Sequence, residues 1–266
     1  MTSREARRKK VLDTSILVFP NLFTTGNLFC GFYSIICSLK GNFLAAAYLI
    51  LAAGIFDLVD GRVARLVKGV SEFGKEYDSL ADLVSFGVAP ALLAYLCNLV
   101  FVPRIGWLAA FLLVACGALR LARFNVICSE KDPRFFVGLP IPIAAATVAT
   151  CYLFVREIGI DLKSTYFFII LVPIISFLMV SSVSYKSYKK AQGTVRKDFF
   201  ANMVIFLLLL VVVAVHPDLV LFLLAVIYIV NGLVMELYNR IKMLVVNKKT
   251  KATLKLLRTK DSDRIS

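Results

Sequence analysis

The 266-residue sequence predicts an all-α, polytopic membrane protein with about eight transmembrane helices in one bundle and both termini cytoplasmic. Three observations carry that expectation. Hydrophobic residues make up 59% of the chain and the mean hydropathy is +0.81, far outside the range of soluble domains. Apolar runs of about 20 residues, the length that crosses a hydrocarbon core of about 30 Å, recur from one end to the other. Lys and Arg are abundant in every second connection between those runs and scarce in the others.

In chain order, a basic tail over 1–15 precedes the first run, 16–39. That run holds Pro20, Asn21 and Asn27 and has no small-residue cleavage site behind it, so it reads as a retained span rather than a removable signal. The second, 43–66, opens with FLAAAYLILAAGIF and ends in an aspartate-rich stretch; the third, 79–101, begins inside that stretch. The fourth, 105–126, closes on ALRLARFN. The fifth, 139–156, is entered through GLPIP, where Gly138, Pro140 and Pro142 shape the start of the helix rather than touch a ligand. Runs at 165–185, 199–215 and 218–239 complete the set. The connections are too short to hold a second domain. One transmembrane domain is therefore expected over 16–240, between the basic tails 1–15 and 241–266.

Orientation follows from charge. The tails and the connections at 62–77, 120–134 and 186–197 hold 27 Lys and Arg against four in the intervening loops (Lys40, Arg104, Arg156 and Lys163), which places both tails and the aspartates on the cytoplasmic side. This distribution accounts for the net charge of +14. Anionic lipid headgroups are the partner it implies, not nucleic acid, and the tail KKTKATLKLLRTK fits a surface-lying or disordered basic segment. Six cysteines (Cys30, Cys37, Cys97, Cys116, Cys128 and Cys151) lack CxxC or Cys/His spacing and read as small core residues. His216 falls in an outside loop, too far from the aspartates to serve as a base.

The chemistry concentrates in DLVDGRVARLVKGVSEFGKEYDSLAD, residues 57–82. Asp57 and Asp60 are three apart and Asp78 and Asp82 four apart, so each pair shares a helix face. Two helix ends joined by a turn through Gly69 to Gly74 aim both pairs at one point. Arg62, Arg65, Lys68 and Lys75 are expected mostly on the connecting turns, where they do not neutralise four acids. Carboxylates at membrane depth are costly and mark function. Oxygen-only ligands at this density suit Mg²⁺, Mn²⁺ or Ca²⁺, and the first two imply phosphate chemistry. Gly61, Ala64 and Gly74 leave room for a bulky substrate part such as a nucleotide. The plainer alternative is a set of loop carboxylates paired with nearby Arg and Lys.

Asp57, Asp60-Gly61, Ala64-Arg65, Gly74, Asp78 and Asp82 stand at the spacings of a complete signature. In these eight residues the chain resembles the CDP-alcohol phosphotransferases. The resemblance implies displacement of CMP from a CDP-linked lipid by an alcohol hydroxyl, with two divalent cations held by Asp57, Asp60, Asp78 and Asp82 and with Asp82 as base. It also implies that Asp60, Gly61, Ala64 and Gly74 line the cytidine pocket, that Arg65 lies near the diphosphate, and that the protein is a homodimer.

The words PNLFTTGNLFCG at 20–31, DSLADLVSFGVAPA at 78–91, ALRLARFN at 118–125 and GLPIP at 138–142 resemble the membrane-embedded phosphatidylserine synthases of that family, from Pro20 to about Asn239. CDP-diacylglycerol and L-serine are then the expected substrates, Mg²⁺ or Mn²⁺ the expected cofactors, and a bacterial inner membrane with a cytoplasm-facing site the expected location. Arg120 and Arg123, at the cytoplasmic end of the fourth span, are candidates for the serine carboxylate or the diphosphate, with interfacial anchoring as their other reading. Asn21 and Thr24 are one turn apart and are candidates for cytosine or ribose, with helix capping after Pro20 as theirs. Asn27 adds a third polar group to that face. Two alternatives stay open: another acceptor, glycerol 3-phosphate or inositol phosphate, and a membrane cation transporter.

Overall fold

A computed structural model describes residues 3–66, 72–127, 135–160, 167–181, 184–186 and 218–238. Eight α-helical segments are present among them: α1 (Ser3–Leu39), α2 (Phe43–Leu66), α3 (Glu72–Asp82), α4 (Ala89–Cys97), α5 (Gly106–Ile127), α6 (Ile141–Glu157), α7 (Phe167–Val180) and α8 (Asp218–Tyr238). Segments α3 and α4 are one continuous path through a π-helical turn, Leu83–Val88, so together they form the third span expected from sequence. Five helices have the length and apolarity to cross a membrane: Asn21–Leu39, Phe43–Val63, Glu72–Cys97, Gly106–Val126 and Asp218–Tyr238. Helix α7 is apolar but shorter, with Pro173 inside it, and α6 has 17 residues. The expected span 199–215, His216, Cys128 and the tail from 239 onward lie outside the described residues.

Three local expectations are corrected. Helix α1 runs unbroken through Pro20, so Asn21 and Thr24 cap nothing; they sit within a helix. Gly74 and Lys75 belong to α3, and Arg62 and Arg65 to α2, because the helices extend further into the cytoplasmic connection than the apolar pattern does. The bundle is helical apart from one small antiparallel ribbon, β1 (Phe135–Val137) with β2 (Ser184–Lys186), in which Phe135 pairs with Lys186 and Val137 with Ser184. Gly138 follows that ribbon at φ +86°, and a Cβ there would lie 2.3 Å from the Met179 carbonyl oxygen. The chain turns tightly against the end of α7 at that point and enters α6 with Pro140 at the N-cap.

Packing shows what drives the assembly. Helices α1 and α2 form an antiparallel pair joined through Lys40–Asn42, where Asn42 Oδ1 accepts the Ala45 N–H at 3.2 Å and starts α2. The interior is lined with small residues such as Ala46, Ala47, Ala53, Ala94, Ala144 and Ala149, which let helix backbones approach closely. The buried cysteines Cys30, Cys37, Cys97, Cys116 and Cys151 are free thiols in that core. Large apolar residues face outward instead, among them Phe29, Phe32, Ile55, Phe111, Ile170 and Phe177. That inverted surface is suited to lipid tails.

Candidate active site

The sequence places Asp57 and Asp60 on the last turns of α2, and Asp78 and Asp82 on α3. Packing α1 against both helices brings these acids to one end of the bundle. Asp57, Asp78 and Asp82 each offer a carboxylate oxygen within 4.8 Å of the others. Asp60 is not one of these three but lies within electrostatic reach of them. Thr24 Oγ1, itself buried on α1, donates a hydrogen bond to Asp60 Oδ2. Asp82 is the deeper member of its pair, 8% exposed, and Asn27 Nδ2 donates to its Oδ1 at 3.0 Å. Asp78 Oδ1 is buried with no hydrogen-bond partner among the described residues.

Electrostatics then decides what the triad is for. Two like charges 4.8 Å apart repel by about 3 kcal/mol at an effective dielectric of about 20, and here three are partly desolvated together. A buried polar atom without a partner adds to that cost. Among the cations of the connection, Arg62 and Lys75 are exposed. An all-oxygen donor set with an orphaned carboxylate oxygen suits a hard divalent cation, and softer metals favour nitrogen or sulfur.

Arg120 and Arg123, equivalent in sequence, are separated by the fold. Arg120 is half-buried on α5, within electrostatic reach of Asp82 and of the Tyr228 hydroxyl on α8, and its Nε has no hydrogen-bond partner among the described residues. Arg123 is exposed, and its Nη1 donates to the Val180 carbonyl at the end of α7, 3.4 Å away. Of the other candidates, Gly61 is half-buried on α2, as is Gly74 on α3. Ala64 and Arg65 lie on the final turn of α2, beyond which the description ends. Asn21 is half-buried, and its carbonyl accepts the Thr25 hydroxyl at 2.7 Å.

Several contributors were not legible in sequence. Thr25 Oγ1 lies 3.0 Å from the Tyr77 hydroxyl, which ties α1 to α3 beside the aspartates, and Tyr77 stacks on Phe73 with ring centroids 6.0 Å apart. Asn125 Nδ2 donates to Ser79 Oγ at 3.1 Å, joining α5 to α3. Ser85 Oγ, in the π turn, donates to the Asn27 carbonyl at 2.9 Å. For Thr25, Ser85 and Asn125 a polar residue inside an apolar run is the available signal; Phe73 and Tyr77 lie in a polar stretch and offer none. The partners across helices are not revealed by periodicity.

Comparison with known proteins places these residues in context. Residues 17–180 match the profile of the CDP-alcohol phosphatidyltransferases. The chain is similar to the CDP-diacylglycerol–serine O-phosphatidyltransferase of Helicobacter pylori (strain ATCC 700392 / 26695), 37% identical over 230 residues that make up 86% of this chain and 95% of that protein. It is similar to the archaetidylserine synthase of Methanothermobacter thermautotrophicus, 43% identical over 176 residues, 65% of this chain and 71% of that one. The Bacillus subtilis (strain 168) CDP-diacylglycerol–serine O-phosphatidyltransferase is 38% identical over 171 residues, 64% of this chain and 91% of its own.

Proposed function

Starting from the premise that this chain belongs to the CDP-alcohol phosphatidyltransferase family, we propose that it transfers the phosphatidyl group of CDP-diacylglycerol to the hydroxyl of L-serine, giving phosphatidylserine and CMP. The observation that carries this reading is the convergence of Asp57, Asp78 and Asp82 at one end of the bundle, on the family's signature residues.

In this reaction the serine Oγ bonds to the phosphatidyl phosphorus. The bond from that phosphorus to the oxygen of CMP breaks, and the serine proton is taken up by a carboxylate. Asp82 is the base: it is buried, the deeper member of its pair on α3, and its Oδ1 is already held by Asn27. Asp57, Asp60, Asp78 and Asp82 are the ligands for two Mg²⁺ or Mn²⁺ ions, with Asp60 using the carboxylate that Thr24 steadies. When bound, those ions supply charge neutralisation at the phosphoryl oxygens and at the departing CMP. Arg120 grips the serine carboxylate or the diphosphate: it lies within electrostatic reach of Asp82, and its Nε has no hydrogen-bond partner among the described residues. Asn21, Asp60, Gly61, Ala64, Arg65 and Gly74 line the nucleotide side. Thr24 acts there through Asp60, because its hydroxyl is already donated to that carboxylate.

The same reading sets the architecture. The domain over 16–240 has eight spans, with the basic tails 1–15 and 241–266 on the cytoplasmic side together with the aspartates, as the Lys and Arg distribution requires. It works as a homodimer in a bacterial inner membrane, drawing CDP-diacylglycerol from the bilayer and L-serine from the cytoplasm.

The test is an acceptor panel. Purified protein with CDP-diacylglycerol and Mg²⁺ or Mn²⁺ is offered L-serine, glycerol 3-phosphate, glycerol or inositol phosphate, and CMP is measured. Serine should release CMP and the others should not. Turnover with glycerol 3-phosphate and none with serine would overturn the acceptor and leave the metal site standing; CMP release in no arm would overturn the transfer itself.

A further inference from the structure

Helix α1 presents two polar residues, one turn apart, to the aspartates, and each holds a carboxylate from a different helix. Thr24 donates to Asp60 of α2, and Asn27 Nδ2 donates to Asp82 Oδ1 of α3 at 3.0 Å. Asn27 is 0% exposed, and its Oδ1 has no hydrogen-bond partner among the described residues. An amide is costly to bury unless hydrogen bonds replace its water, and here the side chain's one hydrogen bond among the described residues is to Asp82. An apolar residue of the same shape would be the cheaper choice if packing were all the position required.

The surroundings hold this amide in register. Ser85 Oγ donates to the Asn27 backbone carbonyl at 2.9 Å. One turn further along α1, a Cβ on Gly31 would lie 2.2 Å from Ser85 Oγ and 2.6 Å from Ser85 Cα, so the two backbones meet this closely only because residue 31 lacks a side chain. Ser85 sits in the π-helical turn that begins directly after Asp82. Such turns redirect the side chains around them and recur at functional sites.

We propose that Asn27 is a positioning residue for Asp82, its amide fixing one carboxylate oxygen so that the other faces Asp57, Asp78 and the acceptor hydroxyl. This rests on the reading of Asp82 as the base of serine transfer. It assigns to the first helix a role in turnover distinct from holding the nucleotide.

The experiment uses the full-length protein in detergent with CDP-diacylglycerol, L-serine and Mg²⁺. Values of kcat and of KM for both substrates are measured for Asn27→Leu, Asn27→Ala, Asp82→Asn, Asp82→Glu and the double variant Asn27→Leu/Asp82→Glu. Thermal stabilisation by CDP-diacylglycerol with Mg²⁺ is recorded beside them. Either Asn27 variant should lower kcat about 10–100-fold, leave the KM for CDP-diacylglycerol within about threefold, and keep the stabilisation. In the Asp82→Glu background, where the carboxylate is already displaced, Asn27→Leu should cost far less than in the wild type. If Asn27→Leu does not fold, Asn27→Ala carries the kinetic test. Near-wild-type kcat in the Asn27 variants with an inactive Asp82→Asn overturns the positioning role alone, as does an equal loss from Asn27→Leu in both backgrounds. A fully active Asp82→Asn removes the base assignment and this inference with it.

Discussion

The four aspartates are alike in sequence and unlike in place, and their replacement should separate them. Asp82→Asn keeps the shape and an oxygen ligand but takes up no proton. It should lose about 10²–10⁴-fold in turnover while retaining Mg²⁺-dependent thermal stabilisation by CDP-diacylglycerol. Asp57→Asn and Asp78→Asn should lose that stabilisation together with activity, because among the described residues no side chain donates to Asp57 or Asp78 as Asn27 does to Asp82 and Thr24 to Asp60. The arginines separate too. Arg120→Ala should lower kcat/KM for serine by about 2–4 kcal/mol, more than it weakens CDP-diacylglycerol binding, when the two KM values are compared. Arg123→Ala should change both by less than about 1 kcal/mol, since its exposed guanidinium is engaged with the Val180 carbonyl. The spacing of Arg120 and Arg123 in ALRLARFN gave no means of choosing between them. The choice comes from α7 and α8, far away in sequence.

At the level of elements, the site depends on how closely α1 meets the π turn after Asp82. Gly31→Ala would drive a methyl group into Ser85, against backbone as well as side chain, and shift the turn that carries Asp82. Overpacking of this kind costs about 1–3 kcal/mol, so the melting temperature in detergent and the turnover should fall together. Gly54→Ala on α2 is the control: a Cβ there meets nothing within 4 Å among the described residues, and both readouts should stay near wild type. Helical spacing made the shared faces of Asp57/Asp60 and Asp78/Asp82 legible, because i,i+3 and i,i+4 neighbours follow from the helix alone. It did not reveal that Thr24 of α1 would donate to Asp60, or that Leu83–Val88 would wind as a π turn. Both are settled by contacts with another helix. The expected turn through Gly69 to Gly74 came out too long because the polar residues from Glu72 onward gave no apolar signal, yet they continue as helix.

For the whole molecule, composition was enough to place the chain in a membrane, since a bundle with 59% hydrophobic residues has too much apolar surface to hide from water. That the acids sit at one end of the bundle was equally legible, because Asp57 and Asp60 close one apolar run and Asp78 and Asp82 open the next. The ribbon of Phe135–Val137 with Ser184–Lys186 was not: it pairs two connections about 50 residues apart, each too short to announce a strand. The reach of α8, which lies beyond the residues matched to the family, toward Arg120 through Tyr228 was likewise hidden. The central claim joins these levels: a carboxylate cluster built from α2 and α3 performs metal-dependent phosphatidyl transfer to serine. The most direct measurement is incorporation of labelled L-serine into lipid by EDTA-treated, purified protein given CDP-diacylglycerol, before and after Mg²⁺ or Mn²⁺ is restored, with Asp57→Asn alongside. Label should enter lipid only in the wild type and only with the metal restored, in step with CMP release. Incorporation without the metal, or at the wild-type rate in Asp57→Asn, would contradict the claim.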